Sequence, residues 1–303
     1  MTTIEPTLEE TLVKHISDTR YEDFDAQTID CCKSLILDTL GVAFPGSRAP
    51  GCPEIVDLLS SWQTAQGATV LLSGIQASPP MAAMANSTMM HAMDFDDTLD
   101  VSALHTFVNV LPAALATAEY CEKVSGKELM TALALGVDII CRISLAIERP
   151  LSWIRTATCG CFGAAAAAAK ILGLDRDGIH NTLGVVYGQT SGNAQGLIEG
   201  RLVKRMQPGF AASSGVLSAF LADRGITGSR RFLTGPYGFY PLYEQGAFDP
   251  AAVTEALGSR QSITDLSIKP YPSCRMTHAS IDAALALKDM VGPVDGIERI
   301  EVA

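Results

Sequence analysis

The sequence has few aromatic residues, no excess of basic charge and no cysteine spacing typical of a metal-binding module. Phe, Trp and Tyr make up only 6% of the 303 residues. The net charge of −11 argues against nucleic acid or an anionic membrane as the principal partner, because both repel an acidic protein. The eight cysteines include no C-x-x-C pair, which argues against a zinc module or an iron–sulfur site. They are expected to be reduced, packed thiols.

Targeting signals are also missing. The first residues quickly become acidic, so the basic and apolar regions of a signal peptide are not found. The longest uncharged stretches contain Pro, Asn, Gln and Ser, which makes them poor membrane spans. We therefore expect a cytoplasmic protein that binds neither membrane nor nucleic acid. Its 48% hydrophobic content is enough for a large globular core.

Helical periodicity dominates the chain, and strand signals are few. Segments with a helical repeat of apolar residues are 8–17, 26–44, 53–63, 81–93, 108–124, 126–146, 158–172, 175–189 and 209–222. Short segments rich in β-branched residues predict strands at 68–73, 263–268 and 297–302. We predict a mainly α fold, with a large all-helical domain over residues 1–262 and the start of a smaller α/β lid domain over residues 263–303. The last strand would be the first of a domain that is mostly absent.

Local signals support two of the helix starts and one close packing contact. Ser125 with Glu128 predicts a capping box, and Asp175 predicts the N-cap of the helix that follows it. Residues 163–169 are all small, so their helix must lie close against its neighbours to fill space.

Residues 91–105 hold the densest group of reactive side chains. They contain two imidazoles, several carboxylates and a threonine hydroxyl, whereas residues 58–93 carry no formal charge. Charged groups are rarely buried unless they are paired or functional, so this cluster predicts a site. Capping of the next helix would explain the later aspartates singly. It does not explain His91 and Asp94, three residues apart on one helical face, or His105.

Further segments carry groups that could bind or react with an acid. Residues 153–163 form a small-residue loop before a helix, where free N–H groups favour a carboxylate. Residues 200–209 place three cations within five positions. Residues 268–278 combine Lys, Tyr, Cys, Arg and His with two prolines that fix an extended path. A solvated basic corner is an alternative for the second segment, and a domain linker for the third.

Together these segments supply cations to hold a polycarboxylate and bases to remove a proton next to a carboxylate. Such an enzyme must position a base and stabilise an enolate-like intermediate with cations or backbone donors. A lysine acts as a base only where neighbouring cations or burial favour its neutral form. Lys204, beside Arg201 and Arg205, meets that requirement.

Motifs in sequence order make the chain resemble the MmgE/PrpD family of dehydratases, decarboxylases and epimerases. They lie at residues 91–98, 156–165, 204–209 and 269–278, so the resemblance spans nearly the whole chain. It implies a metal-free, cofactor-independent enzyme, usually a homodimer. The site would lie between a helical domain and an α/β lid.

The resemblance also implies roles for single residues around a small polycarboxylate substrate. Lys204 and Lys269 would move the proton or bind carboxylates, and Cys274 with Arg275 would sit beside the substrate. The predicted catalytic residues are Asp94, His105, Lys204 and Lys269. The predicted substrate-binding residues are His91, Thr98, Thr158, Arg201, Cys274 and Arg275. No metal and no cofactor are expected.

Departures from the family pattern bear on the reaction. The decarboxylase-like pattern has a histidine where this chain has Ile154, whose alkyl side chain cannot transfer protons. Relatives continue through the lid, whereas this chain ends at Ala303. Pocket residues of the lid are therefore expected to be missing, which would impair water exclusion and turnover.

The leading hypothesis is a dehydratase-like lyase that removes an α-proton and expels a β-hydroxyl from a citrate-like di- or tricarboxylate. The same proton chemistry without a leaving group would epimerise an imino- or amino-dicarboxylate. A non-catalytic alternative is an impaired helical dimer that lacks its lid. A metal-dependent lyase is a further alternative, with Mn or Zn held by His91, Asp94, Asp96, Asp97 and His105.

Overall fold

A computed structural model describes residues 5–62, 64, 66–288, 290–291 and 294–301. The α-helices are α1 (Leu8–Asp18), α2 (Ala26–Gly46), α3 (Cys52–Ser61), α4 (Pro79–His91), α5 (Phe107–Cys121), α6 (Gly126–Leu145), α7 (Arg155–Thr158), α8 (Gly160–Ile171), α9 (Arg176–Tyr187), α10 (Gln195–Ile198), α11 (Val203–Asp223), α12 (Phe239–Tyr243), α13 (Pro250–Thr254) and α14 (His278–Leu287). Strands β1 (Ala68–Val70) and β2 (Ile75–Ala77) pair as an antiparallel hairpin. The predicted mainly α fold is confirmed.

Helix α8 lies at the centre of the helical body, packed against α5, α6, α9 and α11. Its small side chains are buried from Gly160 to Ala169. A Cβ atom added to Gly163 would overlap the Ile140 side chain and the Gly136 carbonyl of α6. The close packing predicted for residues 163–169 is therefore confirmed.

Both predicted helix caps are confirmed. Ser125 and Glu128 form a capping box at the start of α6, and the Asp175 side chain accepts the N–H of Gly178 at the start of α9. The helix predicted over residues 158–172 is divided, because α7 ends at Thr158 and α8 begins at Gly160. Helix α11 begins six residues earlier than predicted, so two of the cations thought to precede it lie in its first turn.

The strand predictions are only partly correct. Within the predicted strand 68–73, only Ala68–Val70 form a strand, β1. Its partner β2 was not predicted. The prediction at 263–268 is wrong, since these residues lie in a 3-10 helix (Ser262–Asp265) followed by a single bridge at Ser267. Residues 297–301 form no strand, because no described segment pairs with them, and Val302 lies outside the described residues.

Asp138 explains why the 3-10 helix replaces the predicted strand. This carboxylate is buried in α6 and accepts Nε of Arg142 at 2.6 Å. It also accepts the backbone N–H and the hydroxyl of Ser262, at 3.2 and 2.8 Å. These bonds fix the 3-10 helix against α6 and so fix the start of the segment that leads to Lys269.

None of the described helices is long and apolar enough to cross a membrane. All eight cysteine thiols are free, and five of them are buried.

Candidate active site

The turn after α4 holds Asp94 in a left-handed backbone conformation. Its φ of 53° is uncommon outside glycine and is often found where function requires a constrained geometry. The Asp94 N–H donates to the carbonyl of His91 at 3.2 Å, which closes the turn. The Asp94 side chain remains 34% exposed, whereas Asp96 and Asp97 are completely buried.

Asp97 has a structural role. One of its carboxylate oxygens accepts the N–H and the hydroxyl of Thr106 at 3.0 and 2.8 Å, and the other accepts the N–H of Phe107 at 3.0 Å. The carboxylate thus satisfies free N–H groups at the start of α5. The capping explanation considered for single aspartates is confirmed for Asp97.

A single β-bridge brings the Lys269 segment to the turn that holds Asp94. The backbone of Thr98 exchanges hydrogen bonds with Ser267 at 3.0 and 2.8 Å. Two residues further on, Lys269 Nζ donates to the Asp94 carbonyl at 2.8 Å and lies 3.3 Å from Asp94 Oδ1. The Lys269 side chain is fully buried, so this contact fixes the left-handed turn from within the protein.

Helix α11 brings Lys204 to the cluster. Gly209 permits α11 to approach α4, since its Cβ would lie 2.6 Å from the Met84 carbonyl oxygen. Five residues before Gly209, Lys204 Nζ lies 3.2 Å from His91 Nε2 and 3.6 Å from Asp94 Oδ1. The amino groups of Lys204 and Lys269 therefore converge on one carboxylate.

Two imidazoles share the buried carboxylate of Asp96. His91 Nδ1 lies 2.8 Å and His105 Nδ1 lies 3.1 Å from Asp96 Oδ2. The rings meet edge to face, with centroids 5.1 Å apart. His105 is also held through its backbone N–H, which donates to the Thr156 hydroxyl at 3.2 Å. This contact places Thr156, from the threonine motif before α8, at the site.

Burial and charge have opposite net effects on the pKa values of the two imidazoles. Burial, reinforced by Lys204, lowers the pKa of His91 despite the neighbouring Asp96 carboxylate. Burial also disfavours the charged form of His105, but Asp96 outweighs it and raises the pKa of that imidazole. The same histidines overcome the burial of Asp96 and hold its pKa well below the usual range. The site thus favours one neutral and one protonated imidazole around an anionic carboxylate.

Asp94 is also held as an anion. Burial opposes its charged form, but Lys204 and Lys269 more than compensate and lower the pKa of Asp94. Asp94 is therefore flanked by the partly exposed Lys204 and by the fully buried Lys269, in front of the two histidines.

Several predicted substrate-binding residues lie apart from this cluster. Arg201 is 71% exposed and lies 3.6 Å from Glu199, so it does not flank Lys204 as the sequence suggested. Arg205 donates instead to the carbonyl of Pro50. Arg275 pairs with Asp100 at 3.0 Å, and Cys274 is exposed.

Two predicted threonines are buried within the framework. Thr98 contributes its backbone to the bridge, and the Thr158 hydroxyl lies 3.5 Å from the carbonyl of Ile154. Neither hydroxyl is bonded to the cluster in the part of the chain that the structure describes. His91, predicted to bind substrate, is buried behind Lys204 and contacts Asp96 instead.

Sequence reasoning gave no role to Asp38 of α2. Burial, followed by the nearby Asp97 and Asp96, raises its pKa from 3.8 to about 6. Its Oδ2 atom is buried without a hydrogen-bond partner among the described residues. The available signal was a single charge within the apolar stretch 35–44.

We expect Asp38→Asn to stabilise the protein at pH 8. A raised folded-state pKa means that stability from this group is present below pH 3.8 and is lost as the pH rises through about 6. After allowance for solvent screening, removal of the charge is worth about 1 kcal/mol at pH 8 and little at pH 4.5. Urea unfolding at both pH values measures it. Asp30→Asn, at an exposed position of the same helix, is the control and should show no such pH-dependent gain.

The spacing of His91, Asp96 and His105 could also suit a metal ion. Their ligand atoms all lie within 4.8 Å of one another, and the second Asp96 oxygen has no hydrogen-bond partner in the described part. However, the hydrogen bond of His91 and the ion-pair contact of His105 with the Asp96 carboxylate account for the same spacing. The other two suggested ligands are otherwise engaged, because Asp94 pairs with lysines and Asp97 caps α5.

The fold and the cluster together define a helical protein whose histidine–aspartate network adjoins one partly exposed lysine, Lys204, and one buried lysine, Lys269. Residues 10–251 match the family model of the MmgE/PrpD N-terminal domain. The chain belongs to the MmgE/PrpD family.

Curated relatives agree with this assignment. The chain is similar to cis-aconitate decarboxylase of Aspergillus terreus, with 30% identity over 92% of this chain and 57% of that protein. It is 30% identical to human cis-aconitate decarboxylase over 90% of this chain and 59% of that protein. It is 24% identical to 2-methylcitrate dehydratase of Cupriavidus necator over 89% of this chain and 58% of that protein. The chain thus spans less than two thirds of the length of these relatives.

Proposed function

We propose that the protein is a cofactor-independent lyase that removes a carbon-bound proton from a small citrate-like tricarboxylate. The observation that carries this proposal is the convergence of Lys204 and Lys269 on Asp94, within 3.6 Å of one carboxylate oxygen. Lys204 is accessible to a substrate at the partly exposed edge of the site, and the positive charge of the buried Lys269 can stabilise the negative charge that develops when the proton leaves.

Dehydration is the reaction that His105 and Lys204 favour. It requires a base at one atom, for the proton, and an acid at another, for the departing hydroxyl. His105, with its raised pKa, suits the acid. Lys204 is the base in this proposal, and Lys269 holds the Asp94 turn in place.

Decarboxylation is the second candidate, because the relatives at 30% identity are named cis-aconitate decarboxylases. It needs a proton delivered to carbon after carbon dioxide leaves, which His105 could supply. Ile154 argues against it, since this side chain packs on the apolar core and cannot carry a proton. Epimerisation of an imino- or amino-dicarboxylate would use the same base.

A substrate panel separates these reactions. The purified protein is incubated with citrate, 2-methylcitrate, cis-aconitate and iminodisuccinate, and the products are resolved by proton NMR and chiral chromatography. Dehydration gives an unsaturated tricarboxylate from a hydroxy acid, and decarboxylation releases carbon dioxide from cis-aconitate. Unchanged substrates throughout would contradict the lyase proposal and favour an impaired helical protein.

Metal dependence and assembly are tested separately. We propose that no metal is required, so treatment with a chelator followed by gel filtration should leave turnover unchanged, whereas a tenfold loss restored by Zn²⁺ or Mn²⁺ would support the metal-dependent alternative. We also propose a homodimer, which light scattering of the eluted protein measures.

A further inference from the structure

We propose that the backbone carbonyl of Asp97 and the carboxylate of Asp96 fix one ring hydrogen of His105 on Nδ1, so that His105 gives its proton to the substrate from Nε2. Asp96 and Asp97 are then positioning residues for the acid of the reaction. This inference rests on the proposed lyase function and names the atom from which the leaving hydroxyl takes its proton.

The inner nitrogen of His105 contacts two acceptors. Nδ1 donates to the Asp97 carbonyl oxygen at 2.7 Å and lies 3.1 Å from Asp96 Oδ2. A carbonyl oxygen and an ionised carboxylate have no hydrogen to donate, so the hydrogen between them and the ring belongs to Nδ1. His105 therefore keeps this hydrogen in its neutral and its protonated form, and only Nε2 gains or loses a proton.

Asp97 holds His105 in place through two different groups. Its carbonyl accepts from the His105 ring, while its carboxylate accepts the backbone N–H groups of the two residues that follow His105. The His105 backbone is held as well, because Thr156 Oγ1 accepts its N–H at 3.2 Å and Asn109 Nδ2 donates to its carbonyl at 3.1 Å. These contacts fix both the position and the orientation of the ring.

The outer nitrogen, Nε2, remains available to a substrate. The His105 side chain is 15% exposed, whereas His91 and Asp96 are 2% and 0% exposed. Within the described ranges, no group bonds to His105 Nε2, and this nitrogen is not one of the buried polar atoms that lack a partner. Of the two imidazoles, His105 is therefore the one that a substrate hydroxyl can reach.

The charged groups around His105 favour its acid form. Burial and Lys269 oppose the imidazolium, but Asp96 and Asp97 outweigh them and raise the pKa of His105. The His91 ring meets the His105 ring edge to face, and burial lowers the pKa of His91. His91 therefore adds no positive charge beside the acid at neutral pH.

The transfer balances for a dehydration. The bond between Nε2 and its hydrogen breaks, its electron pair stays on the ring, and the proton joins the leaving hydroxyl. The hydroxyl departs as water with the electron pair of the carbon–oxygen bond. The electron pair of the broken carbon–hydrogen bond forms the double bond, and the carbon-bound proton goes to the base. Solvent then returns a proton to Nε2 and takes one from the base.

Nitrogen NMR tests the placement of the hydrogen without turnover. Chelator-treated protein that carries nitrogen-15 histidine is studied above the pH at which His105 titrates, and the signals lost in His105→Gln assign this residue. We expect a protonated Nδ1 and an unprotonated Nε2. His180 is the internal reference for the opposite arrangement, because its Nε2 donates to the Arg230 carbonyl at 2.7 Å.

The kinetic test uses Asp96→Asn. An asparagine oxygen can still accept from Nδ1, but the negative charge that favours the imidazolium is lost. The wild-type kcat should fall as the pH rises through the raised pKa of His105, because the acid form disappears. In the variant this fall should begin at lower pH, with kcat at pH 8 about tenfold lower and KM changed less than threefold. Asp30→Asn, the same change at an exposed position, should leave the profile unchanged.

The outcomes are distinguishable. A hydrogen on Nε2 of neutral His105, alone or mixed with the Nδ1 form, overturns the inference, whatever the substrate. A fall of kcat at the wild-type pH in an active Asp96→Asn variant also overturns it. If that variant does not fold, the NMR result on the unchanged protein decides. If Nδ1 carries the hydrogen but no polycarboxylate is converted, the positioning stands and the lyase function fails.

Discussion

Replacement of Lys204 by alanine should reduce kcat for the tricarboxylate about 1,000-fold. The change removes the proposed base and one of the two cations that face Asp94, and positioned proton transfer alone contributes about 10²–10⁴-fold. Steady-state kinetics with the substrate identified in the panel measures the effect. Lys204→Arg should retain much of the binding, because the charge remains, but not the rate, because a guanidinium does not release its proton.

A matched control is available on the surface. Lys14→Ala removes the same charge from an exposed position of α1, where the lysine pairs with Asp18 at 2.9 Å. Its kcat should equal that of the wild type. If Lys204→Ala also retained the wild-type kcat, Lys204 would not be the base.

The largest expected effect on stability is at Gly163. Adding one methyl group, as in Gly163→Ala, places a Cβ into the Ile140 side chain and the Gly136 carbonyl, at the contact between α8 and α6. Neither helix can retreat, because α8 is enclosed by neighbouring helices. Overpacking at such a contact costs about 3 kcal/mol or more, so we expect a large fall in the free energy of unfolding, measured in urea.

Gly41→Ala is the control with the same chemical change. Gly41 lies within α2, and nothing would lie within 4 Å of the added Cβ. Alanine is the better helix former, so this variant should be stabilised by up to about 1 kcal/mol. Equal effects of both substitutions would mean that α6 and α8 do not approach each other closely.

Much of the helical framework could be predicted from the sequence, because it depends on local periodicity and caps. The capping box at Ser125 needs only residues within one turn, and the packing at Gly163 follows from side-chain size. These local signals could not show that residues 263–268 do not form the expected strand. Ser262, the residue just before this segment, is bound by Asp138, more than a hundred residues earlier in the chain.

The site, too, could be predicted only in part. The motifs indicated that Lys204 and Lys269 belong near Asp94, and the structure brings these side chains together. Which aspartate caps a helix and which one binds the histidines could not be read from adjacent residues 96 and 97. That difference depends on the path of the buried turn, which tertiary packing determines. Asp38 reaches this acidic group from α2 through the same packing.

The most direct test of the account is transfer of solvent deuterium to the substrate carbon. The reaction product is incubated with the enzyme in deuterium oxide, so that the reverse reaction adds a solvent deuteron to the reacting carbon. NMR follows this incorporation of deuterium. We predict stereospecific incorporation by the wild type and loss of incorporation in Lys204→Ala. Incorporation at the wild-type rate in that variant would contradict the central claim, which is that Lys204 removes the carbon-bound proton.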